Sequence, residues 1–491
     1  MNKLSNKTVA MPSTFDVDLR KIRTIHFVGV KGVGMAALAV MAKEMGKRVS
    51  GSDIDEEFQT DRILAKYQIP VTSRFKLEVF DTMRPLPDLV VYTGAHGGIT
   101  NPECVAAKKH HIRVMNHAQA LALFSSGKKT IAVAGTHGKT TIASMIAHML
   151  MHNRKDPSFA VGTPEIMSLG TSGHYGKGDY FVAEADEYVA DPTGDKSPRF
   201  LYLSPNIAII NTIDYDHPDV FQSLEEIQDA FIMFANRVSS TGYVLLNADD
   251  EHVRAISNRI ASKKITYGFA KEADCRIMHS SIINGTNKVL LSYRSKKYAY
   301  DLPIYGKHNV QNAAAVILCG FLTGLDWNRI RDSLQTFIGT KRRFEPIGLH
   351  NNILFFDDYA HHPREIIATL EAARTRFPAR RIIVIFQPHT YSRTIALRDE
   401  FSSCFSGADI VFIAPIFASA REKQDNRIDH ERLAKDIAKY HKNVYAVSSP
   451  TEFVTKYLRL LRPNDILITM GAGDIYTWQG EIDELNNTKR N

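Results

Sequence analysis

The stretch AVAGTHGKTT, residues 132–141, decides the fold. An apolar run ends at Gly135, a glycine-bearing turn follows, and Lys139-Thr140-Thr141 opens a helical pattern that continues as TTIASMIAHMLMH over 140–152. Backbone N–H groups of such a turn point inward, and a helix N-terminus adds a field that favours anions. Gly135, Thr136, His137, Gly138, Lys139, Thr140 and Thr141 are therefore read as a phosphate-binding loop. Lys139 reaches the terminal phosphates of a nucleotide, and the Thr140 hydroxyl binds Mg2+. The spacing departs from the usual Gly, four residues, Gly-Lys: Val133 stands where the first glycine would be, and Gly135 comes two residues later. A chance Gly-Lys-Thr at a helix start is the competing reading, and the flanking strand and helix speak against it. The loop alone leaves kinases, ATPases, GTPases and ligases open.

Working outward, two more blocks open in the same way. TIHFVGV at 24–30 precedes MAALAVMAKEMG at 35–46, while ILFFDDY at 353–359 and RIIVIF at 381–386 flank REIIATLEAARTRF at 364–377. Strands apolar on both faces belong to parallel sheets covered by helices, and their alternation with helices predicts α/β architecture. SSGKK at 125–129 and GTKRR at 339–343 mark the boundaries, giving units 1–125, 126–340 and 341–491. The Ser-, Lys- and Tyr-rich stretch 270–303 reads as short strands and turns forming a side layer of the middle unit.

The bulk numbers fit. A chain of 491 residues exceeds one core, and 44% apolar with 23% charged residues is ordinary for a globular protein. A net charge of +8 suits anionic ligands such as nucleotides, but RKIR at 20–23 and KRR at 341–343 are too short for a nucleic-acid arm. Cys104, Cys275, Cys319 and Cys404 form no CxxC pair, which argues against a disulfide framework or zinc site and fits a reducing, cytoplasmic compartment. No apolar run is long enough to span a membrane.

Three further clusters narrow the chemistry. FVAEADE at 181–187 is an apolar strand ending in carboxylates, with Glu184 and Asp186 placed to hold Mg2+ beside the loop. IAIINTIDYDHPDVF at 207–221 repeats the arrangement with Asp214, Asp216, His217 and Asp219, where His217 can complete a second metal position. The alternative there is a turn with capping at Asp216-His217-Pro218. GVKGVGM places Gly29, Gly32 and Gly34 after the first strand, and Asp53 follows the second, as in sites for a nucleotide diphosphate and its ribose. A tight turn needing glycine is the plain alternative.

Taken in order, IHFVGVKGVGM, SGSD, AGTHGKTT, EADE, NTIDYDHPD, YGKHNVQNAAA, KRRFE, DDYAHHP, FQPHTYSRT and GAGDI resemble the Mur ligase family of peptidoglycan synthesis over about residues 22–478. The resemblance implies three domains: a Rossmann-like domain for the UDP-sugar, a central P-loop ATPase domain, and a C-terminal Rossmann-like domain that docks an amino acid and closes over ATP. It implies an ATP- and Mg2+-dependent ligase that joins L-alanine to the lactyl carboxylate of UDP-N-acetylmuramate through an acyl phosphate. By the same resemblance Gly32 and Gly34 lie against the UDP diphosphate and Asp53 near the uridine. Lys139 contacts the β- and γ-phosphates. Thr140 and Glu184 hold one Mg2+, and Glu184 with His217 the other. Asn309 contacts adenine, Arg343 the phosphates and Asp358 the ribose. Tyr359, His361, His362 and Arg393 lie near the amino acid or the transferred phosphate, with His361 or His362 as proton acceptor. The segment YVADPTGDKSPRFLYLSPN at 188–206 is longer than usual and is similar to a related branch that attaches a preformed tripeptide in cell-wall recycling, whereas FQPHTYSRT and GAGDI are typical of the alanine branch. Monomer and homodimer both remain open. A fold-keeping protein without chemistry leaves Lys139, Glu184, His217 and Arg343 together unexplained. A dinucleotide oxidoreductase makes no use of the second and third blocks.

Overall fold

The computed structural model describes residues 17–216, 220–418 and 422–488. They fold into three sheets in chain order, each built around one of the apolar blocks. The first sheet is wholly parallel, with order β3-β2-β1-β4-β5: β1 (Thr24–Val28), β2 (Arg48–Asp53), β3 (Val71–Ser73), β4 (Leu89–Tyr92) and β5 (Arg113–Asn116). Because the chain moves from β1 to β2 on one side and later returns to β4 on the other, the strand order reverses at β1. Crevices that take ligands open at such a point, outside the carboxyl ends of the strands. The GVKGVGM turn lies there, between β1 and the helix Val33–Glu44.

The second sheet has ten strands in the order β15-β14-β13-β12-β11-β10-β6-β9-β7-β8. Its parallel centre comprises β6 (Lys129–Ala134), β7 (Ser158–Ala160), β9 (Tyr180–Glu184), β10 (Ile207–Ile210), β11 (Tyr243–Asn247) and β12 (Lys264–Gly268), with the two-residue β8 (Gly173–His174) antiparallel at one edge. β6 is flanked by β9 and β10. The phosphate loop therefore emerges between the two strands that end in carboxylates, EADE and NTIDYD. The helix Lys139–His152 packs against the helix Lys307–Leu322 over this sheet, in a core of Ile131, Val133, Ile146, Met149, Ala314 and Leu318, all essentially inaccessible.

The stretch 270–303 differs from expectation. It forms β13 (Cys275–Ile283), β14 (Thr286–Tyr293) and β15 (Lys296–Leu302), among the longest strands in the molecule, and these extend the central sheet as an antiparallel meander rather than a side layer. The reason is visible in β14, where buried and half-buried residues alternate. One face joins the core and the other, carrying the lysines and serines, stays wet, so composition alone reads as turn-rich.

The third sheet has order β16-β17-β21-β18-β19-β20: β16 (Glu345–His350), β17 (Ile353–Asp358), β18 (Ile382–Phe386), β19 (Ile410–Ile413), β20 (Val444–Ala446) and β21 (Ile466–Met470). All pairs are parallel except β16 with β17. The α/β class expected from the apolar blocks is the one observed. Among the described residues no helix is long and apolar enough to cross a membrane.

Candidate active site

The loop after β6 is shaped by the residues that follow β10. Thr136 N donates to Thr212 O at 2.8 Å, and His137 N donates to Thr212 Oγ1 at 2.8 Å. Asn211 donates to His137 O at 3.0 Å and to Asn312 Oδ1 at 3.0 Å, and accepts from the buried Tyr267 hydroxyl at 2.8 Å. Gly138 is left-handed, with φ 83°, and a Cβ there would stand 2.5 Å from Asn211 Nδ2 and 2.7 Å from Asn312 Oδ1. Only glycine combines that backbone with that closeness. Lys139, Thr140 and Thr141 then form the first helical turn, whose amides have no intrahelical acceptor and face outward for an anion.

Lys139 folds back over this loop. Its Nζ donates to Gly135 O at 2.7 Å and to Glu187 Oε2 at 2.9 Å. Burial opposes its charge, but Glu187, Asp186 and Glu184 outweigh burial and hold the ammonium above its ordinary range. Thr140 Oγ1 donates to Glu184 Oε1 at 2.8 Å, and Gly162 N donates to Glu184 Oε2 at 2.7 Å. Burial and then Asp186 push Glu184 up, against Lys139 and these two donors. The hydroxyl and the carboxylate form an oxygen-only pair at the loop, a donor set that suits Mg2+ completed by phosphate and water. His217, expected at a second metal position, lies outside the described residues. Among the described residues no group of three His, Cys, Asp or Glu side chains could by itself hold a metal.

A cavity of about 500 Å³ opens beside the loop, between the second and third sheets. Its lining includes Gly138, Thr141, His308, Asn309, Arg343 and Asp358. Arg343 Nη2 donates to Thr140 Oγ1 at 3.3 Å, so a third-sheet cation already touches the loop. Asn309 is oriented by Tyr305 O, to which its Nδ2 donates at 2.9 Å, and by Asn312 Nδ2, from which it accepts at 3.1 Å. Asp358 accepts from Phe344 N at 2.7 Å and Ala360 N at 2.8 Å; burial pushes it up to about 6 against Arg343 and these amides.

Glu365, which no motif singled out, is the hub of the opposite wall. It lies 3.2 Å from His137 Nδ1, 3.3 Å from His361 Nδ1 and 3.9 Å from Arg343 Nη1. Against burial, His361, His137 and Arg343 hold it well below the carboxylate range. The two adjacent histidines separate by role. His362 caps the helix Pro363–Arg376, its Nδ1 accepting from Arg364 N at 3.3 Å, so a neutral ring carries its proton on Nε2. His361 Nδ1 faces Tyr359 O at 2.9 Å and donates to it, leaving Nε2 with a lone pair. Burial lowers both rings to about 4, so both are neutral at pH 7. Arg393 is engaged with the middle unit, Nε donating to Asp216 Oδ1 at 2.9 Å. Tyr359 lies under the Arg343 guanidinium, 5.1 Å from its ring centre.

His137 also pairs with Asp214 Oδ2 at 3.0 Å, so the loop histidine is held by one carboxylate of the middle unit and, through Glu365, by one of the third. Burial opposes its charge, yet Asp214 and Glu365 raise it to about 9. A raised histidine stabilises fully below its unfolded value of about 6.5 and loses that contribution as pH rises through about 9. The wild type should thus lose about 1–3 kcal/mol of stability between pH 7 and pH 10 that His137→Gln does not. Urea midpoints at the two pH values measure this, and equal losses in both proteins would discard the linkage.

In the first sheet Gly34 lies against His117, a Cβ there meeting His117 Nε2 at 2.8 Å, while Gly32 has ordinary clearance. Asp53 is buried, accepting from Lys31 N at 2.7 Å and Ile54 N at 2.8 Å, and thereby braces the glycine turn from behind. Sequence reasoning passed over Glu187, Glu365 and His117. The spacing His362-Pro363-Arg364-Glu365, a cap followed three residues later by Glu, was a usable signal for Glu365.

Three sheets, a phosphate loop on the middle one and cations brought to it by the third define a multi-domain nucleotide-using α/β enzyme scaffold. Family models for the Mur ligase family catalytic domain, the Mur ligase middle domain and the Mur ligase glutamate ligase domain match residues 24–129, 133–320 and 342–473. The chain belongs to the Mur ligase family. It is 40% identical to the UDP-N-acetylmuramate–L-alanine ligase of Desulfitobacterium hafniense over 92% of this chain and 97% of that one. A crystal structure of the UDP-N-acetylmuramate–alanine ligase of Thermotoga maritima superposes with a TM-score of 0.78 at 29% identity, covering 95% and 99% of the two chains. A murein peptide ligase of Psychrobacter arcticus shares the fold, with a TM-score of 0.70 at 23% identity over 95% and 99%.

Proposed function

We propose that this protein uses ATP to join L-alanine to the lactyl carboxylate of UDP-N-acetylmuramate, in peptidoglycan precursor synthesis in the cytoplasm. The observation that carries the reading is the convergence of Thr140, Glu184 and Arg343 on the Lys139 loop, whose Gly138 and Thr141 line the cavity together with Arg343, in a chain similar over nearly its whole length to alanine ligases. Three domains, 1–125, 126–340 and 341–491, take the UDP-sugar, ATP and the amino acid.

ATP occupies the cavity with its adenine at Asn309, its ribose at Asp358 and its phosphates along Gly135–Thr141. The lactyl carboxylate attacks the γ-phosphate, giving an acyl phosphate and ADP; the amine of L-alanine attacks the acyl carbon, and phosphate leaves. Lys139 and Arg343 stabilise the transferred group, so catalysis is chiefly positioning and charge neutralisation. Mg2+ would be held by Thr140 and Glu184 and supplies further neutralisation when bound. Of the two histidines, His361 suits the proton acceptor because its Nε2 keeps a lone pair, whereas His362 is occupied as a cap. Arg393 and Tyr359 bound the amino-acid side, and Gly32, Gly34 and Asp53 shape the UDP turn.

The long segment 188–206 is the sequence feature that resembles the tripeptide-attaching branch. Its contacts run to the first sheet, through Asp191 to Tyr92 and Ile99, and so give no reason to enlarge the amino-acid pocket. Phosphate release with ATP and UDP-N-acetylmuramate should rise at least about tenfold on adding L-alanine, and stay at background with a preformed tripeptide. Release stimulated by the tripeptide alone would replace this substrate assignment with the recycling one.

A further inference from the structure

Glu365 stands in the first turn of the helix Pro363–Arg376 and closes a capping box with His362. Its two oxygens face different ways. Oε2 accepts from His361 N at 3.1 Å and His362 N at 3.3 Å, and stands 3.3 Å from His361 Nδ1. Oε1 stands 3.2 Å from His137 Nδ1 and 3.9 Å from Arg343 Nη1. One oxygen therefore backs the histidine pair of the third unit, and the other grips the phosphate loop of the middle one. A glutamate that only capped its helix would need Oε2 alone.

The loop side of this bridge is charged. His137 has Asp214 Oδ2 at Nε2 and Glu365 Oε1 at Nδ1, so both ring nitrogens carry protons and the ring is a cation between carboxylates of two units. The main chain of His137 is fixed in turn by Thr212 Oγ1 and the Asn211 amide. The same two elements are joined again by Arg364 Nη1, 2.8 Å from Asp214 Oδ1, and by the His137 and His362 rings, whose centres are 4.8 Å apart. On the other side, the His361 Nδ1 proton is shared between Tyr359 O and Glu365 Oε2, which leaves Nε2 to accept. A carboxylate behind Nδ1–H steadies the imidazolium that forms when Nε2 takes a proton. Asp216 adds to that pull and Arg393 opposes it.

We propose that Glu365 is a positioning residue: it sets the His361 ring as proton acceptor at a fixed distance from the phosphate loop, and its hold on His137 makes this setting depend on docking of the third unit. The inference rests on the reading above for the reaction served. There the L-alanine ammonium gives one proton to His361 Nε2, and the freed lone pair forms the C–N bond to the acyl carbon. The C–O bond to phosphate breaks with its electron pair, and the departing phosphate takes the second nitrogen proton. Glu365 acts through the ring and not on the substrate.

Phosphate release by the full chain with ATP and UDP-N-acetylmuramate, driven at pH 7 by L-alanine or by hydroxylamine, tests it. Hydroxylamine is largely uncharged there and needs no base to free its lone pair. Glu365→Gln should lower L-alanine-driven release about 30-fold or more and hydroxylamine-driven release by less than about threefold. Equal losses for the two nucleophiles, or no loss for L-alanine, would overturn the proposal. If Glu365→Gln does not fold by circular dichroism, Glu365→Asp, which keeps the charge but is too short to span both partners, reads the effect as a smaller loss with the same selectivity. The bridge is also read without turnover, by nitrogen NMR of the His137 ring. That ring should keep its charge up to about pH 9 in the wild type and lose it at lower pH in Glu365→Gln. A wild type in which neither nucleophile drives release, but in which His137 shifts this way, would keep the bridge and remove the proposed reaction. A His137 titration unmoved by the substitution would overturn the bridge itself.

Discussion

Replacing Lys139 by alanine is expected to lower turnover by about 10³-fold or more while UDP-sugar binding persists. Lys139 is the cation of the phosphate loop, held by Gly135 O and Glu187. When a triphosphate enters, the ammonium can exchange Glu187 for phosphate oxygens, because both partners lie within the arc of one flexible side chain. Its charge is secured by Glu187, Asp186 and Glu184, so in the proposed reaction it would meet the transferred phosphoryl group as an ammonium. A transition state that spreads negative charge over that group loses its nearest fixed cation in the variant. The same substitution also leaves Glu187, which is buried, without its ion-pair partner, and this alone destabilises the loop. The two effects separate experimentally. By the proposed division of labour, a binding isotherm for UDP-N-acetylmuramate reports on the first sheet and pre-steady-state phosphate release on the loop. If binding and turnover fell together, collapse of the middle unit would explain the result; turnover within tenfold of wild type would remove Lys139 from the chemistry.

What the sequence made legible follows from the range of the interactions. The strands at Thr24–Val28, Lys129–Ala134 and Ile382–Phe386 are buried on both faces, so their apolar runs are continuous and stand out locally. The phosphate loop is equally local, because the turn, the lysine and the helix start are contiguous. The partners that give these residues their state are not. Glu187 meets Lys139 across 48 residues, and Glu365 meets His137 across 228. Asp191 meets Tyr92 across 99 residues, because the segment 188–206 crosses between sheets. Asp53 stands after the second strand, where a carboxylate beside a ribose is expected, and its two oxygens accept from the amides of Lys31 and Ile54. A carboxylate after a strand reads alike in sequence whether it faces a ligand or braces a turn.

Arg342→Ala is expected to destabilise the third unit by about 3–5 kcal/mol, the largest stability effect anticipated for a single side chain here. In KRRFE the sequence points to Arg343, but its neighbour anchors the motif. Arg342 donates through Nε to Asp357 Oδ2 at 3.0 Å, through Nη1 to Gly473 O at 3.0 Å and through Nη2 to Gly471 O at 2.6 Å. The guanidinium lies between the rings of Tyr359 and Tyr476, 5.0 and 4.7 Å from their centres. Both it and Asp357 are buried, so truncation strands a carboxylate and two carbonyls out of reach of water. Burial already pushes Asp357 up against the pull of Arg342 and Thr469, and losing the cation pushes it further. Arg342 also has a left-handed backbone, φ 61°, which turns the chain so that Arg343 faces the phosphate loop. Unfolding the third unit should therefore withdraw Arg343 as well, and activity should fall with stability as temperature rises. Arg342→Lys keeps the charge but cannot reproduce a fork that bonds one carboxylate and two carbonyls, and should recover only part of the loss. Arg343→Ala is the control, with a large loss of turnover and a small change in melting. Hydrogen exchange at the β17 and β21 amides resolves the third unit's stability from that of the other two. Protection there in Arg342→Ala within about 1 kcal/mol of wild type would show that the fork is ornamental to the fold.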